Sequence, residues 1–103
     1  MFNTLFSKKP EFLFDESENV ACVVCDHVIS KQRDILLVTH DAEDGQWGFL
    51  CGAEDHEMAN YRLISLKNVI RIDESVNGLH DMPLGYGAER EKVGASWQAF
   101  KTI

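Results

Sequence analysis

Three short apolar runs, each closed by polar or turn-forming residues, most constrain what this chain can fold into. Val20–Cys25 is apolar on both alternating faces, with Val20, Cys22 and Val24 on one and Ala21, Val23 and Cys25 on the other. Residues 34–39 repeat the pattern as Asp34-Ile35-Leu36-Leu37-Val38-Thr39, and Trp47–Cys51 supplies a third run. Runs of this length, rich in β-branched and aromatic residues, read as strands; apolarity on both faces fits a strand covered on both sides. Asp44-Gly45 before Trp47 is a turn signal, so residues 34–51 read as a hairpin. Ala53–Asn60 begins with acidic residues, which suits the start of a short helix. Two further apolar segments follow, Arg62–Leu66 and Asn68–Ile72, and residues 73–84 read as irregular or as one helical turn. Tyr86–Arg90 and Ser96–Phe100 complete the strand candidates. The expected fold is α+β: a single domain with a mostly antiparallel β-sheet and one or two short helices. Residues 1–19 read as an N-terminal arm before a domain spanning 20–103; Phe2, Leu5 and Phe6 could form one apolar helical face that docks on that domain.

Charge limits the partners. The 103 residues hold 10 Lys and Arg against 17 Asp and Glu, a formal net charge of −7. Phosphate backbones repel such a chain, and no basic cluster makes a local exception, which argues against nucleic acid as a partner. No apolar run approaches the roughly 18–20 residues of a membrane-spanning helix, so a membrane partner is not expected either. Between Asp34 and Tyr61 there is no Lys or Arg, while Asp41, Glu43, Asp44, Glu54, Asp55 and Glu57 flank the apolar run at Trp47. Such a field speeds encounter with a basic protein. Trp47, directly after the acidic loop, would add an apolar anchor to that face if exposed.

The cysteines number three, Cys22, Cys25 and Cys51, with no signal peptide ahead of them, which points to a reducing, cytoplasmic compartment. Cys22-Val23-Val24-Cys25 has zinc-site spacing, with His27, His40, Cys51 and His56 as further possible ligands. Residues three apart on a strand point to opposite faces, however, and Val-Val favours extended structure over the turn such a motif needs. A small metal-binding module using Cys22, Cys25 and either Cys51 or His56 is therefore an alternative, and no residue is assigned to a metal and no cofactor is implied. The four histidines, His27, His40, His56 and His80, are scattered, and surface or hydrogen-bond-satisfied positions are their default reading.

Complete catalytic motifs are missing. His56-Glu57-Met58-Ala59-Asn60 lacks the second His of a zinc-protease helix, which must share a face with the first at i+4. A calcium loop starting at Asp41 would have Gln46 at position 6 and Gly52 at position 12, where Gly and Glu are required. No Ser sits in a nucleophile elbow. Gly85-Tyr86-Gly87 is too short for a dinucleotide fingerprint and reads as a turn. The chain is not expected to be an enzyme.

The run Asp44-Gly45-Gln46-Trp47-Gly48-Phe49-Leu50-Cys51-Gly52-Ala53-Glu54-Asp55 resembles the centre of a family of small bacterial domains, domain of unknown function 2185, also called immunity protein 33. Cys22-Val23-Val24 followed by Ile29 is similar to its first strand, and Leu66-Lys67-Asn68-Val69-Ile70 with Asp73 to its second block. Leu79, Pro83, Gly85 and Gly87-Ala88-Glu89-Arg90 are similar to its closing segment, so the resemblance spans residues 20–98. Two departures stand out: Gly45-Gln46 replaces Ser-Gly before Trp47, and Cys25 stands where Ser is common. The resemblance implies a non-enzymatic immunity-like protein that binds and neutralises a cognate bacterial toxin. A basic toxin domain is the expected partner, with Asp41, Glu43, Asp44, Trp47, Glu54, Asp55 and Glu57 as the expected contact face. A housekeeping domain that binds a small ligand is a further alternative.

Overall fold

The computed structural model describes residues 11–54, 56–57 and 60–102. Six strands form one sheet: β1 (Ala21–Cys25), β2 (Leu37–His40), β3 (Trp47–Leu50), β4 (Tyr61–Ser65), β5 (Tyr86–Glu89) and β6 (Gln98–Lys101). Two short α-helices, α1 (Asp26–Ile29) and α2 (Leu66–Ile72), and a 3-10 helix (Glu74–Leu79) complete the described elements. The strand order is β4-β1-β3-β2-β5-β6. Every neighbouring pair is antiparallel except β1 and β3, which run parallel with Val23 opposite Gly48 and Val24 opposite Phe49. The α+β expectation holds.

Alternation along the strands builds one core. Cys22 and Val24 of β1, Val38 of β2, Trp47 and Phe49 of β3 and Ala88 of β5 are buried on one face. Val28 of α1, Leu66, Val69 and Ile70 of α2 and Val76 of the 3-10 helix belong to the same cluster. Burying each such side chain stabilises the fold by roughly 1.5–3 kcal/mol. The other face is more open, with Ala21 exposed, Val23 half-buried and Leu63 of β4 65% exposed. β1 is therefore fully covered on one face only, although its sequence is apolar on both. At Gly87 the ring of Phe100 lies so close that an added Cβ would sit 2.6 Å from it, so β5 and β6 pair tightly there.

The described part of the N-terminal arm sends Phe14 into the core. Phe14 is buried edge-on against Trp47, with ring centroids 5.0 Å apart. Asn77 clasps the same segment: its Oδ1 accepts from the Leu13 amide, and its Nδ2 donates to the Glu11 carbonyl. The docking expected of Phe2, Leu5 and Phe6 lies outside the described residues.

The helix expected over Ala53–Asn60 is not found among the described residues there, of which only Asn60 has helical backbone, in a 3-10 turn. One side-chain and one backbone bond close this turn: the Glu57 amide donates to Asn60 Oδ1, and the Asn60 amide donates to the Glu57 carbonyl. The segment Arg62–Leu66 is β4, and Asn68–Ile72 falls within α2, whose start is capped by the Ser65 hydroxyl accepting from the Asn68 amide.

Candidate metal centre

Parallel pairing of β1 and β3 brings the C-terminal ends of both strands to one place. Cys25 is the last residue of β1 and the cap of α1, and Cys51 follows directly after β3. α1 continues from Cys25 with Asp26 and His27. Beyond Cys51 the chain turns at Gly52, whose φ of +84° is a left-handed conformation that glycine adopts without penalty, and returns with His56. Cys25, His27, Cys51 and His56 thus face one another, and one potential ligand atom from each lies within 4.8 Å of all the others.

The spacing suits a tetrahedral ion. With Zn–S near 2.3 Å and Zn–N near 2.0–2.1 Å, a Cys2His2 tetrahedron has edges of about 3.8 Å between sulfurs, 3.5 Å between sulfur and nitrogen and 3.3 Å between nitrogens. Here His56 Nε2 is 3.4 Å from Cys51 Sγ and 3.0 Å from His27 Nδ1.

Second contacts prepare the ring of His56. Its Nδ1 lies 3.0 Å from the Ala53 carbonyl, which only accepts, so Nδ1 carries the proton and Nε2 presents its lone pair to the cluster. Tyr61 stacks on the ring, with centroids 5.4 Å apart. His27 Nδ1 is 3.5 Å from Asp26 Oδ1. That oxygen is buried and accepts no hydrogen bond among the described residues, whereas Asp26 Oδ2 accepts from Asn60 Nδ2 at 3.3 Å. A buried carboxylate oxygen without a donor is costly, and a nearby cation is one way to satisfy it.

The two sulfurs share charge unevenly. Burial raises the Cys51 thiol, but hydrogen bonds from Arg33, the Ala53 amide and Cys25 outweigh it and hold the group below the ordinary thiol range. Arg33 Nη1 is 3.5 Å from Cys51 Sγ. Burial pushes Cys25 up; the Val28 and Cys51 amides favour its charged form but do not offset that. Of the two thiols, Cys51 therefore gives up its proton the more readily, and a bound dication would displace the protons of both. Cys22 stands apart: its thiol points to the Val20 carbonyl, and burial, with Glu16 adding to it, pushes it up to about 12.

Of the ligands weighed in the sequence, Cys25, Cys51 and His56 come together with His27, while Cys22 is excluded because the strand turns it to the opposite face. The usable pattern is Cys25-x-His27 with Cys51 and, five residues on, His56, a spacing that the more familiar CxxC obscured.

The expected protein-contact residues separate. Asp41, Glu43 and Asp44 are exposed in the β2–β3 turn, and Glu54 and Glu57 are exposed beyond the other end of β3; Asp55 lies outside the described residues. Trp47 is corrected: it is 2% exposed, stacked on His40 with centroids 3.9 Å apart, and its Nε1 donates to Glu16 at 2.7 Å. Its alternation with Phe49 turns it into the core, so it cannot anchor a partner. No helix among the described residues is long and apolar enough to cross a membrane. Comparison with known proteins finds no matching family model, curated protein or solved structure.

Proposed function

We propose that this protein is a zinc-binding domain in which Cys25, His27, Cys51 and His56 hold one Zn2+. The observation that carries the reading is the convergence of two sulfurs and two imidazole nitrogens within 4.8 Å. Two thiolates and two imidazoles are a zinc-type donor set, and four protein ligands leave no open position, which is the character of a structural rather than a catalytic site. The ion would fasten the β1–α1 junction to the connection between β3 and β4. Elemental analysis of protein purified without chelator tests this. About one zinc per chain is expected, falling to near zero in Cys51→Ala or His56→Ala and unchanged in Cys22→Ala. Folded wild-type protein that takes up no zinc from a zinc-supplemented buffer overturns the reading.

A second reading, an immunity-like protein that neutralises a bacterial toxin, is supported by surface charge and by the resemblance. Asp41 and Asp44 accept from the Glu43 and Gln46 amides, which holds the exposed acidic turn in one shape. Reversing Asp41, Glu43 and Asp44 to Lys together is expected to slow association with a basic toxin domain about tenfold at low salt and to flatten its salt dependence. Unchanged association kinetics would remove this turn from consideration.

A further inference from the structure

The same four residues hold a second chemistry, since two of them are thiols in mutual contact. Cys25 is the last residue of β1, and Cys51 follows directly after β3, the parallel neighbour of β1. Their sulfurs are within 4.8 Å of each other. Cys51 borders a cleft of about 370 Å³ together with Gly52, Leu37 and Phe100, and it keeps 6% exposure where Cys25 has none. A small oxidant therefore reaches Cys51 first. Among the described residues, Cys22 is not part of the group of converging ligand atoms.

We infer that Cys25 and Cys51 form a peroxide-sensitive dithiol, closing to a disulfide that abolishes the metal site. The inference deepens the zinc reading and rests on it for the metal-loaded form only. In the first step the Cys51 sulfur attacks one oxygen of hydrogen peroxide; the O–O bond breaks, water leaves, and Cys51 becomes a sulfenic acid. In the second, the Cys25 sulfur attacks the Cys51 sulfur; the S–O bond breaks, the S–S bond forms, and a second water leaves with the Cys25 proton. Two thiols and one peroxide give one disulfide and two waters: the sulfurs lose two electrons, and the peroxide gains them. His27 and His56 alone are left as metal donors, half of the original set. A zinc–thiolate centre that releases its metal on oxidation makes the metal load a readout of peroxide.

The test treats metal-free and zinc-loaded full-length protein with one equivalent of hydrogen peroxide, alkylates remaining thiols and maps the peptides by mass spectrometry. Zinc content is measured before and after oxidation. The expected result is a Cys25–Cys51 linked peptide in both forms, Cys22 recovered as an alkylated thiol, and loss of most of the bound zinc in step with the disulfide. Reduction with dithiothreitol restores binding. A linked peptide in protein that takes up no zinc when zinc is supplied supports the dithiol and overturns only the zinc reading. Bound zinc with no Cys25–Cys51 link in either form, Cys51 being recovered as sulfinic acid or paired with Cys22 or a second chain, overturns the dithiol and leaves the zinc reading standing. Cys22→Ser, which leaves both sulfurs in place, is expected to oxidise like wild type; loss of the link there would also overturn the assignment.

Discussion

Arg90 is buried, and its guanidinium meets four groups. Nε and Nη2 donate to the Ile35 carbonyl, Nη1 donates to Ser75 Oγ, and Nη2 pairs with Asp73 Oδ2 at 2.6 Å. Its flat face lies 4.2 Å from the Trp97 ring centroid. Burial raises the Asp73 carboxyl, but bonds from Ser75 and Arg90 outweigh it and hold the group below its ordinary 3.8. A carboxyl depressed in the folded state contributes stability that is present above the unfolded value and is lost as pH falls through the folded one. Asp73→Asn is thus expected to cost about 2 kcal/mol at neutral pH, because it leaves a buried guanidinium without its counter-charge. The gap to wild type should narrow as pH drops below 3.8, and urea unfolding at pH 7 and pH 3 measures it. Cys22 gives a second expectation at this scale. A buried thiol raised to about 12 stays protonated at pH 8, so iodoacetamide should label it only after unfolding, as peptide mapping would show.

At the scale of elements, reading the chain misses α1 and leaves α2 as an apolar segment of no stated type. α1 is a four-residue helix entered directly from a strand, too short for a 3.6-residue period to appear. It ends on Lys31, a non-glycine residue at φ +64°, where the Lys31 amide donates to the Val28 carbonyl. The Gln32 and Arg33 amides then both donate to the His27 carbonyl, which turns the chain so that Arg33 meets Cys51. A β-carbon is strained in that conformation, so Lys31→Gly is expected to stabilise the fold by about 0.5–1 kcal/mol, a rise in Tm of a few degrees. The β2–β3 hairpin was legible because Asp44-Gly45 marks its turn and alternation marks its strands. The Cys25–His27–Cys51–His56 cluster was not, because it depends on β1 and β3 pairing in parallel across the intervening α1 and β2, and no local pattern encodes that neighbour. The acids of 53–57 suggested a helix, but that stretch is shaped by the Glu57–Asn60 and His56–Ala53 bonds, which propensity does not register.

For the whole molecule, the acidic field and the proposed metal centre are separable. The net charge of −7 counts the cysteines as neutral. Zinc bound by two thiolates and two neutral imidazoles adds two positive charges and removes two protons, so the long-range field is unchanged. What changes is the tie between distant parts of the chain, since residues 25–27 and 51–56 would be joined at one point. An ion that binds only the folded form stabilises it by about 4 kcal/mol at a thousandfold excess over Kd. For about 100 residues each kcal/mol moves Tm by roughly 4–8 °C. Chelation is therefore expected to lower Tm by about 15 °C or more while leaving electrophoretic mobility in a native gel at pH 8 the same. A Tm drop with altered mobility would mean that the chain expands or associates when the centre empties, and that the acidic surfaces at the two ends of β3 depend on the metal for their placement. A Tm that ignores both zinc and chelator would leave the sheet and its core as sufficient support for the 51–60 connection.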